Sequence, residues 1–275
     1  MRCKEGGGKV NIFIRELKAL RKSLVIWCLG ILAMVAGGMS KYVATESSGQ
    51  SINDLMASMP KAMQAIMGTG SLDLTTVSGY YGILFLYLMV MTTIHAVMLG
   101  ANIISKEERD KTAEFLLVKP ISRKQVIFSK WMASLIAIFV LNLVTFLISH
   151  LMVDYYNKTG ESYVIEIAKL MGGMFILQLL FLSLGTSVAA SIKHPKRAAS
   201  ISTAVLLIAF FLSMAIDLNE NLEILSVFTP FKYFEAKDII SGTGYEAIYI
   251  TVSALLVVVM TSYTFIAYEK RDLHI

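Results

Sequence analysis

Six long apolar runs follow one another along the chain, separated by short polar stretches. The runs without Asp, Glu, Lys or Arg cover residues 24–40, 74–105, 131–153, 170–192, 198–216 and 247–268. Each is close to or above the roughly 17–25 residues with which a helix crosses a bilayer. The pattern predicts an all-α polytopic membrane protein with six transmembrane helices. We expect one transmembrane domain over residues 1–275, with the six-span bundle at 24–268, an N-terminal segment at 1–23 and a cytoplasmic tail at 269–275.

The second apolar run, 74–105, is too long for one upright span. At about 1.5 Å per residue it would exceed the roughly 30 Å of hydrocarbon in a bilayer. Its first residues are therefore expected at the membrane surface, with Tyr80 and Tyr81 as interfacial anchors. The span proper is predicted to begin near Gly79.

Composition agrees with a membrane domain, since 56% of the residues are hydrophobic and only 16% are charged. An ordinary soluble domain has about 25% charged residues. With the N-terminus in the cytoplasm, 19 of the 25 Lys and Arg residues fall on the inner side and 6 on the outer side. The positive-inside rule therefore predicts cytoplasmic N- and C-termini in a plasma membrane. An anionic leaflet explains the net charge of +5, so no nucleic-acid partner is expected.

The segment before the first run has helical amphipathic spacing. Val10, Phe13, Leu17 and Leu20 share a face, and basic residues occupy the other faces. This pattern predicts an N-terminal amphipathic interface helix that lies among the headgroups before the chain turns into the bilayer. Its expected interface residues are Phe13, Arg15, Glu16 and Leu17. The alternative is a solvated extension of the first span.

Two outer segments have unusual composition. Met56, Met59, Met63 and Met67 recur at helical spacing, which is typical of apolar packing, while Cu(I) ligation by the thioethers is a less common alternative. Residues 221–242 contain four aromatic residues around a proline and are predicted to fold back onto the outer membrane surface, with Gly242 in the C′ position of a short helix. The four aromatic residues are Phe228, Phe231, Tyr233 and Phe234.

The apolar runs contain no ionisable group stronger than histidine, whereas gradient-driven carriers place carboxylates or cations inside the bundle. The polar candidates His95, Asn142, His150 and Gln178 are more typical of interhelical hydrogen bonding than of an ion relay. Hydrolase, zinc and phosphate-loop motifs are missing. The sequence therefore predicts no catalytic residue, no metal site and no cofactor bound by this chain, so that any energy must enter from a partner.

A charged island at about 103–125 separates the second and third runs and carries ten charged side chains. Ser105 with Glu108 reads as a capping box that opens a helix ending near Val118, and Ser122 with Gln125 reads as a second box. Phe115, Leu116, Leu117 and Val118 are apolar although the island is cytoplasmic. The pattern predicts a cytoplasmic coupling helix between spans 2 and 3. The alternative is a solvated loop whose positive charge serves only topology.

These residues resemble the signature of permease subunits of type-2 ABC exporters. The resemblance rests on Glu108, Thr112, Glu114, Leu116, Leu117, Pro120, Ser122, Arg123 and Lys130. The amphipathic "RELKALRKSL" before the first span and "TPFKYF" before the last extend it along the chain. Lys111 departs from the family, which usually has glycine there.

The resemblance implies a subunit without catalysis of its own that works with ABC ATPase subunits, two copies being expected, which bind ATP and Mg. It also implies a second permease copy or homologue and, with the charge pattern, a bacterial plasma membrane. The ATPase-coupling residues would be Glu108, Thr112, Glu114, Phe115, Leu116 and Leu117, with Pro120, Ser122 and Arg123 fixing the turn. The cargo, whether peptide, drug, lipid or ion, stays open. So do two other functions, a gradient-driven carrier or channel and a membrane scaffold that docks a cytoplasmic partner.

Overall fold

The computed structural model describes residues 6–47, 50–69, 72–112, 122–242 and 244–271. Six of its helices are long and apolar enough to cross a membrane, and the described residues contain no strand. The all-α polytopic fold with six spans is confirmed. We call these helices spans 1–6, and their bounds are Gly6–Met39, Val77–Arg109, Arg123–Tyr156, Val164–Ser191, Ala198–Leu218 and Ala247–Lys270.

Short helices fill the connections between the spans. Three α-helices, Tyr42–Ser47, Gln50–Ser58 and Lys61–Met67, lie between spans 1 and 2. A single 3-10 turn, Pro195–Arg197, joins spans 4 and 5. Between spans 5 and 6, two 3-10 helices and one α-helix follow in order, with bounds Glu220–Phe228, Pro230–Phe234 and Ala236–Ile240.

Span 1 differs from the sequence expectation at its cytoplasmic end. The amphipathic segment is helical, but it continues into the span as one helix from Gly6 to Met39, without the predicted turn into the bilayer. The extension packs on the bundle, because Ile12 and Glu16 are buried there while Arg15 is half-exposed. Contacts with the neighbouring helices thus hold this segment along the span axis, which hydrophobic spacing alone does not reveal.

Span 2 begins two residues before Gly79. Thr76 caps it, since its side chain accepts a hydrogen bond from the Gly79 amide at 3.1 Å. The predicted interfacial role is wrong for Tyr81, which is 1% exposed in the core. Tyr80 is partly buried and donates to the Gly38 carbonyl of span 1 at 3.1 Å, and its interfacial role stays a prediction.

Spans 2 and 4 form the centre of the bundle and are the most buried of the six, whereas span 6 is the least buried. They cross at Gly100 and Gly185. A Cβ atom on Gly100 would clash with the Leu182 carbonyl, and one on Gly185 would clash with the Val97 carbonyl. The two backbones therefore touch, a contact that small residues permit between membrane helices.

The aromatic segment 228–234 enters the bundle instead of lying on its outer surface. Phe231 packs between Phe181 of span 4 and Phe210 of span 5, with ring centroids 5.3 Å from each. Phe228 alone among the four aromatic residues is largely exposed, at 71%. The predicted position on the outer surface is therefore wrong for Phe231, whose ring lies between spans 4 and 5. Composition shows that the segment is apolar, but it does not show which spans the rings contact. Gly242, with φ +89°, follows the helix Ala236–Ile240 as predicted.

Tyr245 fastens the outer end of span 4. Its hydroxyl donates to the Lys169 carbonyl and accepts from the Gly173 amide at 2.8 Å. Burial raises the pKa of this phenol to about 12, so that it stays protonated and keeps its donor. Phe234 packs edge-on against the same ring at 5.4 Å.

Two of the polar candidates inside the bundle join helices. Asn142 of span 3 donates to the Gln178 side chain at 3.4 Å and to the Met171 carbonyl at 3.2 Å, both on span 4. This confirms interhelical hydrogen bonding for Asn142 and Gln178. The His95 ring lies 5.0 Å from that of Trp27, and the His150 ring stacks on Phe146.

The outer methionines do not form one continuous stripe. Pro60 separates the helix that carries Met56 from the helix that carries Met63 and Met67. Proline cannot continue a helix from the preceding turn, so the spacing of 3, 4 and 4 residues does not describe a single face. The copper alternative stays a prediction.

Candidate functional site

Charged side chains gather where the spans end on the side that the charge pattern assigns to the cytoplasm. We call this cluster the cytoplasmic junction. Its ion pairs join spans 1, 2, 3 and 6 and involve residues of the island on both sides of 113–121 in the chain. The members are Arg15, Glu16, Lys106, Glu107, Glu108, Arg123, Lys124, Lys130, Glu269 and Arg271.

Lys130 of span 3 is the most deeply buried charge of the junction, with no exposed surface. Its ammonium group pairs with the Glu107 carboxylate of span 2 and donates to the Ile103 carbonyl at 2.5 Å. Burying charges costs free energy, and the loss is offset only when the groups are paired and hydrogen-bonded. The pair therefore holds spans 2 and 3 in one arrangement.

Span 1 joins the same cluster through Glu16, which is also buried. Its carboxylate pairs with Arg15 at 2.7 Å and with Lys106 of span 2 at 3.5 Å. Arg15 reaches the second oxygen of Glu107 at 3.4 Å. The half-buried Phe13 and Leu17 lie on the same stretch of helix. Of the four predicted interface residues, Glu16 therefore faces the bundle rather than lipid headgroups.

Arg271 closes the other side of the junction. Its guanidinium pairs with Glu108 at 2.6 Å and donates to the carbonyls of Ala189 and Ile192, each at 2.6 Å. Ala189 lies in the last turn of span 4 and Ile192 is its C-cap, so these carbonyls lack N–H donors within the helix. One side chain thus links the ends of spans 2, 4 and 6 at the junction.

Arg123, the first residue of span 3, binds the C-terminal end of span 6. It donates to the backbone carbonyls of Glu269 and Arg271 at 3.1 and 2.6 Å. A cation at a helix C-terminus is also favoured by the helix dipole. Arg123 therefore holds spans 3 and 6 together, a role beyond the turn for which it was predicted.

The end of span 2 explains why the related family has glycine at the position of Lys111. Lys111 has φ +55°, in the left-handed region that glycine adopts without steric cost. The Thr112 amide donates to the Glu107 carbonyl at 2.8 Å and the Lys111 amide to the Glu108 carbonyl at 3.3 Å, which is a Schellman motif. Lys111 thus stands where the backbone conformation favours glycine.

The two predicted capping boxes have different outcomes. Ser122 is the N-cap of span 3 and accepts from the Gln125 amide at 3.3 Å, as predicted. The first box is wrong, because Ser105 and Glu108 lie inside span 2, which continues to Arg109. The Ser105 hydroxyl donates to the Ala101 carbonyl at 2.7 Å instead, a bond that serine makes in helix interiors.

The described residues thus include four of the predicted coupling residues, Glu108, Thr112, Ser122 and Arg123. The first two lie at the end of span 2 and the last two at the start of span 3. The predicted coupling helix, from Ser105 to about Val118, overlaps the end of span 2; its part from residue 113 onward and the other five coupling residues lie outside the described residues. These are Glu114, Phe115, Leu116, Leu117 and Pro120.

Sequence reasoning missed Glu107 and Arg271. Glu107 had a usable signal, because helical spacing places it on one face with Gly100, Ile103 and Ile104, which are buried against other helices. No sequence signal pointed to Arg271, since its partners, Glu108 and two backbone carbonyls of span 4, are far away in the chain. Among the described residues, no three His, Cys, Asp or Glu side chains gather as metal ligands.

Comparison with known proteins yields one decisive match. No curated protein matches the chain. The model of the ABC-2 family transporter protein matches residues 10–273, which covers all six spans and both sides of the cytoplasmic junction. A match of that extent shows the family, and the chain therefore belongs to the ABC-2 family of transporter proteins as a membrane-spanning permease subunit.

Proposed function

We propose that this permease subunit serves ATP-driven export, and that a separate ATPase subunit acts on it through residues 113–121. Family membership supports the transporter role. The observation that carries the coupling step is the anchoring on both sides of the segment. Glu107 and Glu108, just before it, and Arg123, just after it, are tied into the cytoplasmic junction.

Such anchoring would allow a force applied by the ATPase subunit to residues 113–121 to reach the spans. A force on a loop with free ends would be absorbed by local bending. Here the flanking helix ends are bonded to spans 1 and 6, and through Arg271 to span 4, so that a displacement of the segment would move several helices together. Closure of the ATPase subunits around ATP would then shift the cytoplasmic half of the bundle as one body.

The complete transporter would contain two ATPase copies, which bind ATP and Mg, and a second permease copy or homologue. We place it in the plasma membrane of a bacterium with both termini in the cytoplasm. The excess of Lys and Arg on one side of the spans supports this orientation. A gradient-driven carrier is less well supported, because the buried ion pairs of the described residues lie at helix ends rather than at mid-depth.

Purification of the full chain with the ATPase of its operon tests the proposal. We expect a stable complex whose ATP hydrolysis is lost with Glu114→Lys or Leu117→Asp, because a reversed charge or a buried carboxylate would disturb the contact. Glu223→Lys is the matched control, since Glu223 is exposed on the outer side. Unchanged complex formation and hydrolysis in both coupling variants would refute the proposed contact.

A further inference from the structure

One face of span 1 carries three basic side chains that form no ion pair among the described residues. Lys18, Arg21 and Lys22 are exposed and lie within two turns of Glu16, at the same end of the bundle as the cytoplasmic junction. At about 3.6 residues per turn they share roughly a third of the helix circumference, and the buried Ile12 and Glu16 lie on the opposite side. The face is therefore basic and turned away from the other helices.

Acidic residues do not neutralise this face. Each of the five Asp and Glu residues described at this end of the bundle is already paired with another base, and 16 Lys and Arg residues outnumber them. The pairs are Glu16 with Arg15 and Lys106, Glu107 with Arg15 and Lys130, Glu108 with Arg271, Asp110 with Arg109, and Glu269 with Lys124. The three charges of the face are thus available to a ligand from outside the chain.

The same face continues into the membrane as an apolar surface. Val25, Leu29 and Leu32 lie on it and are 53%, 59% and 42% exposed. Span 1 is one helix from Gly6 to Met39, so the basic part and the apolar part follow each other without a break. Exposed apolar surface beside a polar rim marks a site of interaction with a membrane or a protein. A ligand of the whole face needs an anionic head and an apolar chain.

The three cations lie at the depth of the lipid phosphates. The apolar run of span 1 begins at Leu24. At about 1.5 Å per residue, Arg21 and Lys22 lie roughly 3–5 Å outside that run, and Lys18 lies roughly 9 Å outside it. The polar layer of one leaflet is about 5–8 Å thick, and long basic side chains extend along the helix to reach it. All three charges can therefore contact lipid phosphates.

We propose that this face of span 1 binds a phospholipid with a net negative headgroup. The headgroup lies at Lys18, Arg21 and Lys22, and an acyl chain lies along Val25 and Leu29. A cation near an anionic membrane surface contributes about fivefold in affinity, so three cations should favour an anionic lipid over a zwitterionic one by on the order of tenfold to a hundredfold. Binding of this lipid does not depend on the proposed export function.

A protein occupant fits the face less well. A second copy of the chain, related by a twofold axis, would place the three cations against the same three cations, and like charges repel. A soluble partner reaches the cations but not Leu29 and Leu32, which lie roughly 8 and 12 Å inside the apolar run. A lipid matches both parts of the face.

Native mass spectrometry of the full chain tests the proposal. The chain is released from nanodiscs with equal amounts of phosphatidylglycerol and phosphatidylcholine, and the lipids that it retains are counted. We expect the wild type to retain phosphatidylglycerol at least about tenfold over phosphatidylcholine. The triple variant Lys18→Gln/Arg21→Gln/Lys22→Gln should retain the two about equally. No preference in the wild type, or the same preference in the variant, overturns the proposal.

Two controls separate this face from charge in general. Lys41→Gln/Lys61→Gln/Lys169→Gln removes the same number of charges from three exposed lysines in separate segments at the other end of the bundle. Lys124→Gln removes an exposed lysine at the same end that pairs with Glu269. Both should leave the lipid preference unchanged. A loss in either control as large as in the triple variant also overturns the proposal.

The triple variant should fold, because its three positions are exposed and glutamine is a good helix former. If it does not fold, Arg21→Gln alone decides, with an expected loss of about fivefold in lipid preference. Loss of ATPase binding with unchanged lipid retention would assign the face to a protein partner and overturn the proposal.

A regulatory role of the lipid has its own measurement and rests on the proposed function. Arg15 and Glu16, on the same stretch of helix, tie span 1 to span 2, so a bound lipid would hold the span 1 side of the junction. In the complex with the ATPase, phosphatidylglycerol should raise ATP hydrolysis by the wild type and not by the triple variant. Binding without stimulation supports the site and refutes the regulatory role. Failure to form an ATPase complex refutes the proposed function and leaves the lipid result standing.

Discussion

The inner and outer halves of the bundle are held together by different forces. In the inner half, buried ion pairs such as Lys130 with Glu107 join the helices, and the backbones of spans 2 and 4 touch at Gly100 and Gly185. In the outer half, aromatic rings around Phe231 fill the space between spans, and a cavity of about 300 Å³ remains beside them.

This difference bears on transport. Ion pairs and backbone contacts are kept only over a narrow range of distances and angles. We therefore expect the helices of the inner half to move together. Contacts between rings and apolar side chains are non-directional and can be exchanged for others of similar area. We infer that the inner half suits the transmission of force and that the outer half suits a change of shape around a ligand.

The largest effect is expected from breaking the buried pair of the inner half. Lys130→Met leaves the buried Glu107 with the half-exposed Arg15, at 3.4 Å, as its only ion-pair partner among the described residues, and we expect unfolding to become easier by about 3–5 kcal/mol. Lys124→Met is the control, because Lys124 is 63% exposed and its pair with Glu269 should contribute under about 1 kcal/mol. Unfolding in mixed detergent measures both. Similar losses in the two variants would remove the distinction between buried and surface pairs.

A charge-free double variant sharpens the same point. Glu107→Met together with Lys130→Met should recover most of the loss, since no uncompensated carboxylate remains. The same detergent unfolding assay applies. A double variant as unstable as Lys130→Met would mean that packing, not charge, controls this position.

The second effect concerns the crossing of spans 2 and 4. Gly100→Ala forces a methyl group against the Leu182 carbonyl, and separating the helices should cost up to about 3 kcal/mol. In Gly37→Ala the new methyl group meets nothing within 4 Å, so stability should stay equal or rise slightly. Thermal aggregation in detergent compares the two. A stable Gly100→Ala protein would contradict the backbone contact.

The third effect is in the outer half. Phe231→Ala removes on the order of 100 Å³ of side chain, and at about 24 cal/mol per Å³ of cavity the loss is about 2 kcal/mol. Phe228→Ala should change stability little, because Phe228 is largely exposed. If the outer half is the deformable one, its neighbours collapse and Phe231→Ala costs less than Lys130→Met. A larger loss of stability in Phe231→Ala than in Lys130→Met, measured by unfolding in detergent, would contradict a deformable outer half.

The smallest effect is expected between the halves, where Asn142 bonds span 4. Asn142→Leu should cost about 0.6 kcal/mol, the average for hydrogen bonds between membrane helices. Gln178→Leu should cost no more, because Asn142 keeps its bond to the Met171 carbonyl, and the double variant no more than Asn142→Leu, because the two side chains share one bond. Additive losses in a thermal unfolding series would show that the groups act independently.

Much of the fold could be predicted because lipid imposes a simple rule. A span needs a long apolar run, and the six runs correspond to the six spans. The Ser122 cap was predictable for a similar reason, since capping depends on residues three apart. The Ser105 box failed because the same spacing also occurs inside helices, where serine bonds back to the preceding turn.

The candidate site was only partly predictable. The charged island pointed to the correct region, and Glu108 and Arg123 belong to it. Their partners could not be predicted, because Arg271 and the carbonyls of Ala189 and Ile192 are distant in the chain. Burial of Glu16 likewise depends on which helix packs on span 1.

The sequence by itself determined the number of spans, the family signature and the turn chemistry on the span 3 side of the island, because these depend on local residues and their solvent. Only the tertiary structure decided that span 1 continues straight into its cytoplasmic extension, that the aromatic segment enters the bundle and that Arg271 joins three helices. These features arise from packing between segments far apart in the chain, where the free energy depends on partners that no local pattern specifies.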